Sequence, residues 1–167
     1  MKVDCVLSAP SESLVLYTAN DIANWFLATV DRPAGDSITH LKLQKLVYYA
    51  QAWALALLDR PLFEEDFQAW THGPVVPSVW QRFREHGWDA LPAPEEVAEF
   101  DPETEALLLD VSNAYGELSA HSLEELTHRE DPWLLTRRGL SPELRCTTPM
   151  SKERMREYYR LVYANLA

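Results

Sequence analysis

The sequence has little of the material from which several common functional sites are built. Its 167 residues include five glycines and two cysteines, and no Gly-x-Ser-x-Gly, Cys-x-x-Cys or His-Glu-x-x-His motif. So few glycines leave little for a phosphate-binding loop, and Cys5 and Cys146 lack the close spacing of metal ligands. Two thiols do not make a disulfide framework, which suits a cytoplasmic protein.

A long apolar run and a targeting segment are also absent from the sequence. The longest apolar-rich stretch, Leu46 to Leu58, contains Gln51 and is shorter than the roughly 20 residues that span a bilayer. Near the N-terminus, Asp4 and a polar Ser-Ala-Pro-Ser-Glu-Ser run replace the apolar core of a signal peptide. We therefore expect a cytoplasmic protein that does not associate with membranes.

Positive charge is scarce in the middle of the chain. The formal net charge is −11, and residues 85–131 hold fourteen acidic residues and one arginine, whereas residues 137–160 hold seven Lys or Arg and three Glu. A nucleic-acid-binding surface needs clustered basic residues to neutralise phosphates, so the acidic middle argues against nucleic-acid binding, whereas the basic stretch at 137–160 could contact phosphate. The acidic residues are either solvated helix faces or a surface for a basic partner, and the sequence leaves both open.

The chain does contain enough apolar side chains for the core of one domain, since 47% of its residues are hydrophobic. Helices are predicted to begin at residues typical of N-caps or first turns, namely Thr18, Thr39, Pro77, Asp101, Ser122 and Ser151. The predicted fold is therefore mainly α, a single compact domain of about six helices. It is expected to span residues 18–167, after a lead-in segment at residues 1–17.

The most apolar predicted helix covers about residues 40–58. From Val47 onward it is apolar on nearly every side, which is typical of a helix surrounded by protein. Its start is polar, with Lys42, Gln44 and Lys45 as either a solvated entry or the rim of a partner site. The residues after this helix allow a small β element near residues 63–71, followed by a rigid corner at His72-Gly-Pro-Val-Val-Pro77.

Two segments resemble the Panacea domain of the SocA-like antitoxins, a family once known as phage-associated proteins. The first is Thr39-His-Leu-Lys-Leu-Gln-Lys-Leu-Val-Tyr-Tyr-Ala-Gln-Ala-Trp53, and the second runs from Pro61-Leu-Phe to Ala69-Trp-Thr-His-Gly-Pro-Val-Val-Pro77. Leu-Thr-His-Arg-Glu-Asp-Pro-Trp at 126–133 and the helix at 151–159 match the closing pattern of that family. The resemblance therefore covers about residues 18–165.

The resemblance implies a function that involves binding and neither catalysis nor a cofactor. Members of the family neutralise a toxin encoded by an adjacent gene through direct contact. For the SocA type, the resemblance also implies that the antitoxin delivers its toxin to a ClpXP-type protease as an adaptor. An interaction protein of a phage or mobile element, acting on a host factor without a paired toxin, would share the same sequence features.

The residues of this region divide into predicted structural and predicted binding positions. The structural positions are Leu43, Leu46, Tyr48, Tyr49, Trp53, Gly73, Pro74, Val76, Pro77, Pro132 and Trp133. The candidate toxin-binding positions are Lys42, Gln44, Lys45, Trp70, His72 and Trp80. Trp70, Trp80 and Trp88 would be anchors of an interface if exposed, although a position in the core is expected for each.

A metal-dependent hydrolase is the enzymatic alternative. His121 and His128 lie seven residues apart, so one unbroken helix would place them on the same face, near Glu124, Glu125 and Asp131. The turn expected at Asp131-Pro132 argues against that arrangement. The binding protein is therefore the preferred hypothesis.

Overall fold

The structure, a computed structural model, describes residues 16–166 and is mainly helical. Its seven α-helices are α1 (Ala19–Thr29), α2 (His40–Trp53), α3 (Pro77–Phe83), α4 (Pro102–Tyr115), α5 (Ala120–His128), α6 (Asp131–Thr136) and α7 (Lys152–Asn165). An antiparallel sheet pairs β1 (Gln68–Trp70) with β2 (Gly73–Val75). The predicted class, a mainly helical domain with a small β element, is confirmed. Most of the predicted lead-in, residues 1–15, lies outside the described residues.

Most helix starts follow from side chains that accept hydrogen bonds from the first turn. The Thr18 hydroxyl accepts from Asp21 N at 3.0 Å while the Asp21 carboxylate accepts from Thr18 N at 2.9 Å, which is a complete capping box. Thr39, Asp101 and Ser151 cap α2, α4 and α7 with their side chains. These four predicted starts are confirmed.

The start of α5 differs from the prediction. Ser119, not Ser122, is its N-cap, because the Ser119 hydroxyl accepts from Ser122 N at 3.0 Å. Both serines have the side chain that an N-cap requires, so the preference for serine alone does not choose between them. The prediction that a helix begins at Ser122 is therefore wrong by one turn.

Helix α2 forms the centre of the domain and contacts α1, α3, α4, α5, α7 and β2. Every side chain from Leu43 to Ala52 is buried. After Trp53 the chain continues as one π-helical turn, Ala54–Leu58, and leaves it at Asp59 with a φ of 56°. The predicted central helix at 40–58 is confirmed, with a wider final turn than the sequence indicates.

A buried hydrogen-bond cluster fastens α7 to α2. The Glu130 carboxylate accepts from the hydroxyls of Tyr49 at 2.7 Å and Tyr159 at 2.9 Å. Since the Tyr159 hydroxyl donates to Glu130, it accepts from the Tyr48 hydroxyl, which lies 3.0 Å away. Burial raises the pKa of the Glu130 carboxyl, and the two tyrosine hydrogen bonds oppose that rise.

The β hairpin packs against the first half of α2. Its register pairs Gln68 with Val75 and Trp70 with Gly73, and the segment predicted as a rigid corner supplies the turn, β2 and the start of α3. On the other side of β1, Ala69 N donates to Thr148 O at 3.1 Å. The hairpin is thus held between α2 and the segment that precedes α7.

The residues predicted as structural lie in the core or at its margin. Nine of them are buried, namely Leu43, Leu46, Tyr48, Tyr49, Gly73, Pro74, Val76, Pro132 and Trp133. Trp53 and Pro77 are half-buried. The Trp53 indole donates to the Tyr115 hydroxyl at 2.8 Å, so its polar edge is satisfied at the boundary of the core.

Candidate functional site

A groove of about 730 Å³ lies beside the hairpin. Its walls come from the start of α2, the turn between β1 and β2, helix α3 with the loop that follows it, and the segment before α7. We call it the tryptophan groove because Trp70, Trp80 and Trp88 all line it. A concave surface of this size, lined by aromatic rings, is the usual form of a binding site.

The three tryptophans differ in how much of each side chain is exposed. The rings of Trp70 and Trp80 meet edge to face, with their centroids 5.4 Å apart, and both residues are half-buried. Trp88 is 76% exposed. The prediction that Trp88 belongs to the core is therefore wrong. Trp88 follows Gly87 in a loop, outside any helical repeat, and that local context was a signal of its exposure.

Two side chains of the α6 region hold the backbone of β1 at Trp70. The Trp133 indole donates to the carbonyl of Trp70 at 2.8 Å, and the Arg137 guanidinium donates to the carbonyl of Ala69 at 2.7 Å. Both donors belong to the α6 region and both are buried. The aromatic wall of the groove therefore rests on a rigid support, which favours a site that is formed before a ligand arrives.

Gln44 connects the groove to the residue that follows β2 and to His40. Its Oε1 accepts from Val76 N at 3.0 Å, so its Nε2 is the atom that lies 3.0 Å from the His40 Nε2. His40 Nε2 therefore accepts, and the ring is neutral with its proton on Nδ1. Burial, together with the nearby charges of Lys45 and His86, lowers the pKa of His40 to about 4.

Lys45 lies behind the hairpin and is fully buried. Its Nζ donates to the carbonyl of Pro74 at 3.3 Å, while burial lowers the pKa of the ammonium to about 7 against the opposing charge of Glu124. Both predicted roles of Gln44 and Lys45, a solvated entry or a rim, place them at the surface. That placement is wrong, because both side chains are buried, where Gln44 accepts from Val76 N just after β2 and Lys45 donates to Pro74 O within it.

The charged groups that line the groove are all basic. Arg84 and Arg145 are exposed, and the Arg84 guanidinium lies 5.8 Å from the centre of the Trp80 ring. Within residues 16–166, neither arginine forms an ion pair with a carboxylate. His72 also lines the groove and contacts the Glu124 carboxylate at 3.0 Å. The groove therefore presents two arginines without a carboxylate partner among the described residues, on a protein of net charge −11.

Cys146 places a thiol in the wall of the groove. Burial opposes its ionisation, but hydrogen bonds from Thr148 and the charge of Arg137 outweigh burial and lower the pKa of the thiol. The residue is half-buried, so a small reagent can reach it. Its reactivity can therefore report whether the groove is occupied.

Four of the six candidate binding residues, namely Gln44, Trp70, His72 and Trp80, line the tryptophan groove together. Lys45 does not, and Lys42 lines a separate cavity of about 560 Å³, where its Nζ donates to Gly116 O at 2.6 Å. Sequence reasoning missed Arg84 and Arg145, because nothing in their local context connects residues 61 positions apart.

The histidines of the enzymatic alternative both lie on α5. His121 contacts Glu125 at 3.4 Å and His128 contacts Glu124 at 4.0 Å, while Asp131 begins a separate helix. In the part of the chain that the structure describes, no three His, Cys, Asp or Glu residues are grouped as metal ligands. None of the described helices combines the length and apolarity needed to cross a membrane.

The fold and the groove define a mainly helical domain with an aromatic, basic groove at its surface. The sequence model of the family described as "Antitoxin SocA-like, Panacea domain" matches residues 43–134. The chain belongs to this family, which confirms the resemblance seen in its sequence. The match contains the hairpin and α3 walls of the groove and Gln44 of α2, but it begins after His40 and Leu41 and ends before Arg145 and Cys146.

A protein named Antitoxin SocA, from Caulobacter vibrioides (strain NA1000 / CB15N), is similar to part of the chain. The two are 40% identical over 72 residues, which are 41% of this chain and 36% of that protein. The similarity thus spans about a third of the length of that relative. No solved structure matches the chain.

Proposed function

We propose that this protein is an antitoxin that neutralises a toxin encoded by an adjacent gene through direct protein–protein contact. The observation that carries the proposal is the family match over residues 43–134, supported by 40% identity to a protein named Antitoxin SocA. No catalytic step belongs to this function. Neutralisation by contact requires only that the two proteins bind and that binding covers the active part of the toxin.

The tryptophan groove is the contact surface that we propose for the toxin. Large exposed aromatic side chains and arginines are the residue types that contribute most to binding energy at protein interfaces. Trp88 is 76% exposed, and it lines the same groove as Arg84 and Arg145. Trp133 and Arg137 hold the backbone of β1 at Trp70 and Ala69, so the Trp70 wall of the groove needs little ordering on binding.

Co-expression tests the antitoxin proposal. The adjacent gene is induced in a host with and without this chain, and growth is measured for both strains. We expect the adjacent gene to stop growth alone and this chain to restore it, with the two proteins co-purifying. A harmless adjacent product, or one that stays toxic beside this chain, would contradict the proposal. A host protein recovered in place of that product would favour an interaction protein of a phage or mobile element.

Delivery of the bound toxin to a ClpXP-type protease is a second part of the proposal. The half-life of the toxin, measured in the presence of this chain, is expected to lengthen when ClpX is removed. If growth is restored equally without ClpX and the half-life does not change, the adaptor role is excluded. Neutralisation by contact is unaffected by that result.

A further inference from the structure

We infer that the tryptophan groove binds an acidic segment of the partner protein that carries at least one large apolar side chain. The inference deepens the proposed function and rests on it only for the identity of the partner. It concerns the chemistry that the groove selects, which depends on the side chains that line it.

The ionisable side chains of the groove favour an acidic occupant. Histidines and arginines are the ionisable residues that line the groove beside Cys146, and none of its lining residues in the described chain is Asp or Glu. Arg84 and Arg145 have no carboxylate partner within residues 16–166. Two guanidinium groups without a carboxylate partner in that range attract a carboxylate to the groove, whereas the net charge of −11 disfavours a carboxylate on the protein as a whole.

The apolar surface of the groove favours an occupant with a large apolar side chain. Trp70, Trp80 and Trp88 border the groove together with Leu41 and Val75, so a bound chain would remove aromatic and aliphatic surface from water. An acidic segment without an apolar side chain would leave this surface exposed. The occupant therefore needs both carboxylates for the arginines and a large apolar side chain for the rings.

The volume of the groove favours a short segment of the partner. A volume of about 730 Å³ lies within the range of roughly 300–1,000 Å³ typical of pockets for small ligands. It has room for a few side chains and not for a folded domain. A short segment that projects from the partner, such as a loop or a terminus, fits this volume.

Nucleic acid fits the groove less well, although phosphate would also pair with arginine. Binding a nucleic-acid strand requires a row of basic residues along the phosphates. Here the groove has two arginines: Arg84 precedes the stretch 85–131 with its fourteen acidic residues, and Arg145 lies in the more basic stretch 137–160. Among the described residues, the groove offers two guanidinium groups and no such row, which is enough for the carboxylates of a short acidic peptide and too little for the phosphates of a strand.

A charge-reversal variant with a matched control tests the inference. The test variant is Arg84→Glu/Arg145→Glu, and the control is Arg129→Glu/Arg154→Glu, which changes two exposed arginines outside the groove by the same charge. Circular dichroism and thermal melting confirm that both variants fold. Trp88→Ala is a third variant that removes apolar surface without changing charge.

The first probe is a displayed library of random 12-residue peptides, selected on the unmodified protein and counter-selected on the test variant. We expect enriched peptides that combine Asp or Glu with Trp, Phe or Leu. They should bind the control variant normally and bind the test and Trp88→Ala variants at least about tenfold more weakly. They should also slow alkylation of Cys146 in a Cys5→Ser background.

Several results would overturn the inference. One is that no peptide binds the test variant more weakly than the unmodified protein. Another is that basic or wholly polar peptides are enriched. A third is that a single-stranded oligonucleotide binds more tightly than any peptide. Self-association that is lost in the test variant would also overturn it, because the occupant would then be a second copy of this chain.

The second probe is the product of the adjacent gene, presented whole and as overlapping 15-residue peptides. An acidic and apolar peptide that binds the groove, and loses affinity when its acids become amides, supports the inference. If growth is restored but the affinity is equal for the test and control variants, the groove inference fails and the antitoxin proposal stands. If the adjacent product is harmless, the antitoxin proposal fails while the library result still decides the groove.

Discussion

Among single residues, Gln44 and Lys45 show how a polar side chain can be structural at a position that suggests a surface. Both lie in the first half of α2. Gln44 accepts from Val76 N, just after β2, and Lys45 donates to Pro74 O within β2. The sequence shows only that they are polar and near a helix start. Their burial depends on β2, which lies about thirty residues further along the chain and which local patterns do not place there.

The buried ammonium of Lys45 should make stability depend on pH. Its pKa is lowered from 10.5 to about 7, so between these values the unfolded chain binds more protons than the folded protein. The free energy of unfolding should therefore rise with pH between about 7 and 10, with a limiting slope of about 1.4 kcal/mol per pH unit. Urea unfolding at pH 7, 8 and 9 measures this, and Lys45→Met should remove the rise.

Lys152→Met provides the control for that comparison, since it removes a more exposed lysine that pairs with Asp66. The pH profile of this variant should stay parallel to that of the unmodified protein. If the pH profile of Lys45→Met is also parallel to that of the unmodified protein, the pKa of Lys45 is not lowered in the folded protein.

Two substitutions of Glu130 should separate the contribution of its hydrogen bonds to stability from the contribution of its charge. Glu130→Gln keeps an oxygen that accepts from Tyr49 and Tyr159 and removes a carboxyl whose pKa is raised by burial. We expect this variant to be at least as stable as the unmodified protein at pH 7. Glu130→Ala leaves two buried hydroxyls without their acceptor and should lose roughly 3 kcal/mol. Chemical denaturation of both variants measures the difference.

The sign of the pH effect gives a second measurement on Glu130. Because the folded pKa lies above 4.5, the folded protein binds more protons than the unfolded chain between the two values. This carboxyl therefore lowers stability as the pH rises through that window, and Glu130→Gln should abolish its contribution. A variant with glutamine that is as unstable as the alanine variant would show that the charge itself is needed.

At the level of elements, the hairpin depends on a glycine that closely approaches α2 and α5. Gly73 has a φ of 106°, and a Cβ atom there would lie 2.5 Å from Lys45 Cε and 2.8 Å from Thr127 Oγ1. No side chain fits between these groups without movement. The tight contact is what lets β2 reach the polar side chains of α2.

Gly73→Ala should therefore destabilise the protein through both backbone strain and steric overlap. Gly35→Ala is a matched control, because Gly35 has a φ of 96° but nothing lies within 4 Å of the position that a Cβ atom would take there. The control should lose about 1 kcal/mol from strain alone, and Gly73→Ala should lose at least about 2 kcal/mol. Thermal unfolding of both variants gives the difference, and equal losses would show that the overlap is relieved by movement of Lys45.

The helices were more predictable than the hairpin for a physical reason. Thr18, Asp101 and Ser151 cap the turn that directly follows them, so a few consecutive residues contain the whole signal. β2 contains Gly73 and Pro74, which are poor strand formers, and its existence depends on pairing with β1 and on support from α2. That information is distributed over distant parts of the chain.

For the whole molecule, the candidate site was only partly visible in the sequence. Trp70, His72 and Trp80 could be selected because they lie in the segment that resembles the family. The groove also needs Trp88 from a loop and Arg145 from the segment before α7, and only the packing of the domain brings these together. The sequence pattern of any one segment therefore does not predict that these residues line the same groove.

Binding and stability should be separable in this molecule. Trp88 is 76% exposed, so Trp88→Ala should change the free energy of unfolding by less than about 0.5 kcal/mol while it weakens neutralisation of the toxin. Trp133→Ala removes a buried indole that donates to Trp70 O, and should lose about 3 kcal/mol or more. Thermal melting combined with the growth assay compares the two variants.

A result in which Trp88→Ala unfolds the protein would contradict the exposed position of this ring. Full neutralisation by a folded Trp88→Ala protein would show that the ring does not contribute to the toxin interface. The two readouts therefore address the structure and the proposed interface independently.

The hairpin has a further consequence for the free protein. A short strand with unpaired backbone groups can recruit another chain by strand addition, which is a common route to aggregation. Here β1 lies between β2 and the Thr148–Met150 segment, and Gln44 and Lys45 occupy hydrogen-bonding groups next to and within β2. The sheet therefore offers little template for growth, so the protein can accumulate in excess over a partner without seeding edge-to-edge assembly through this hairpin.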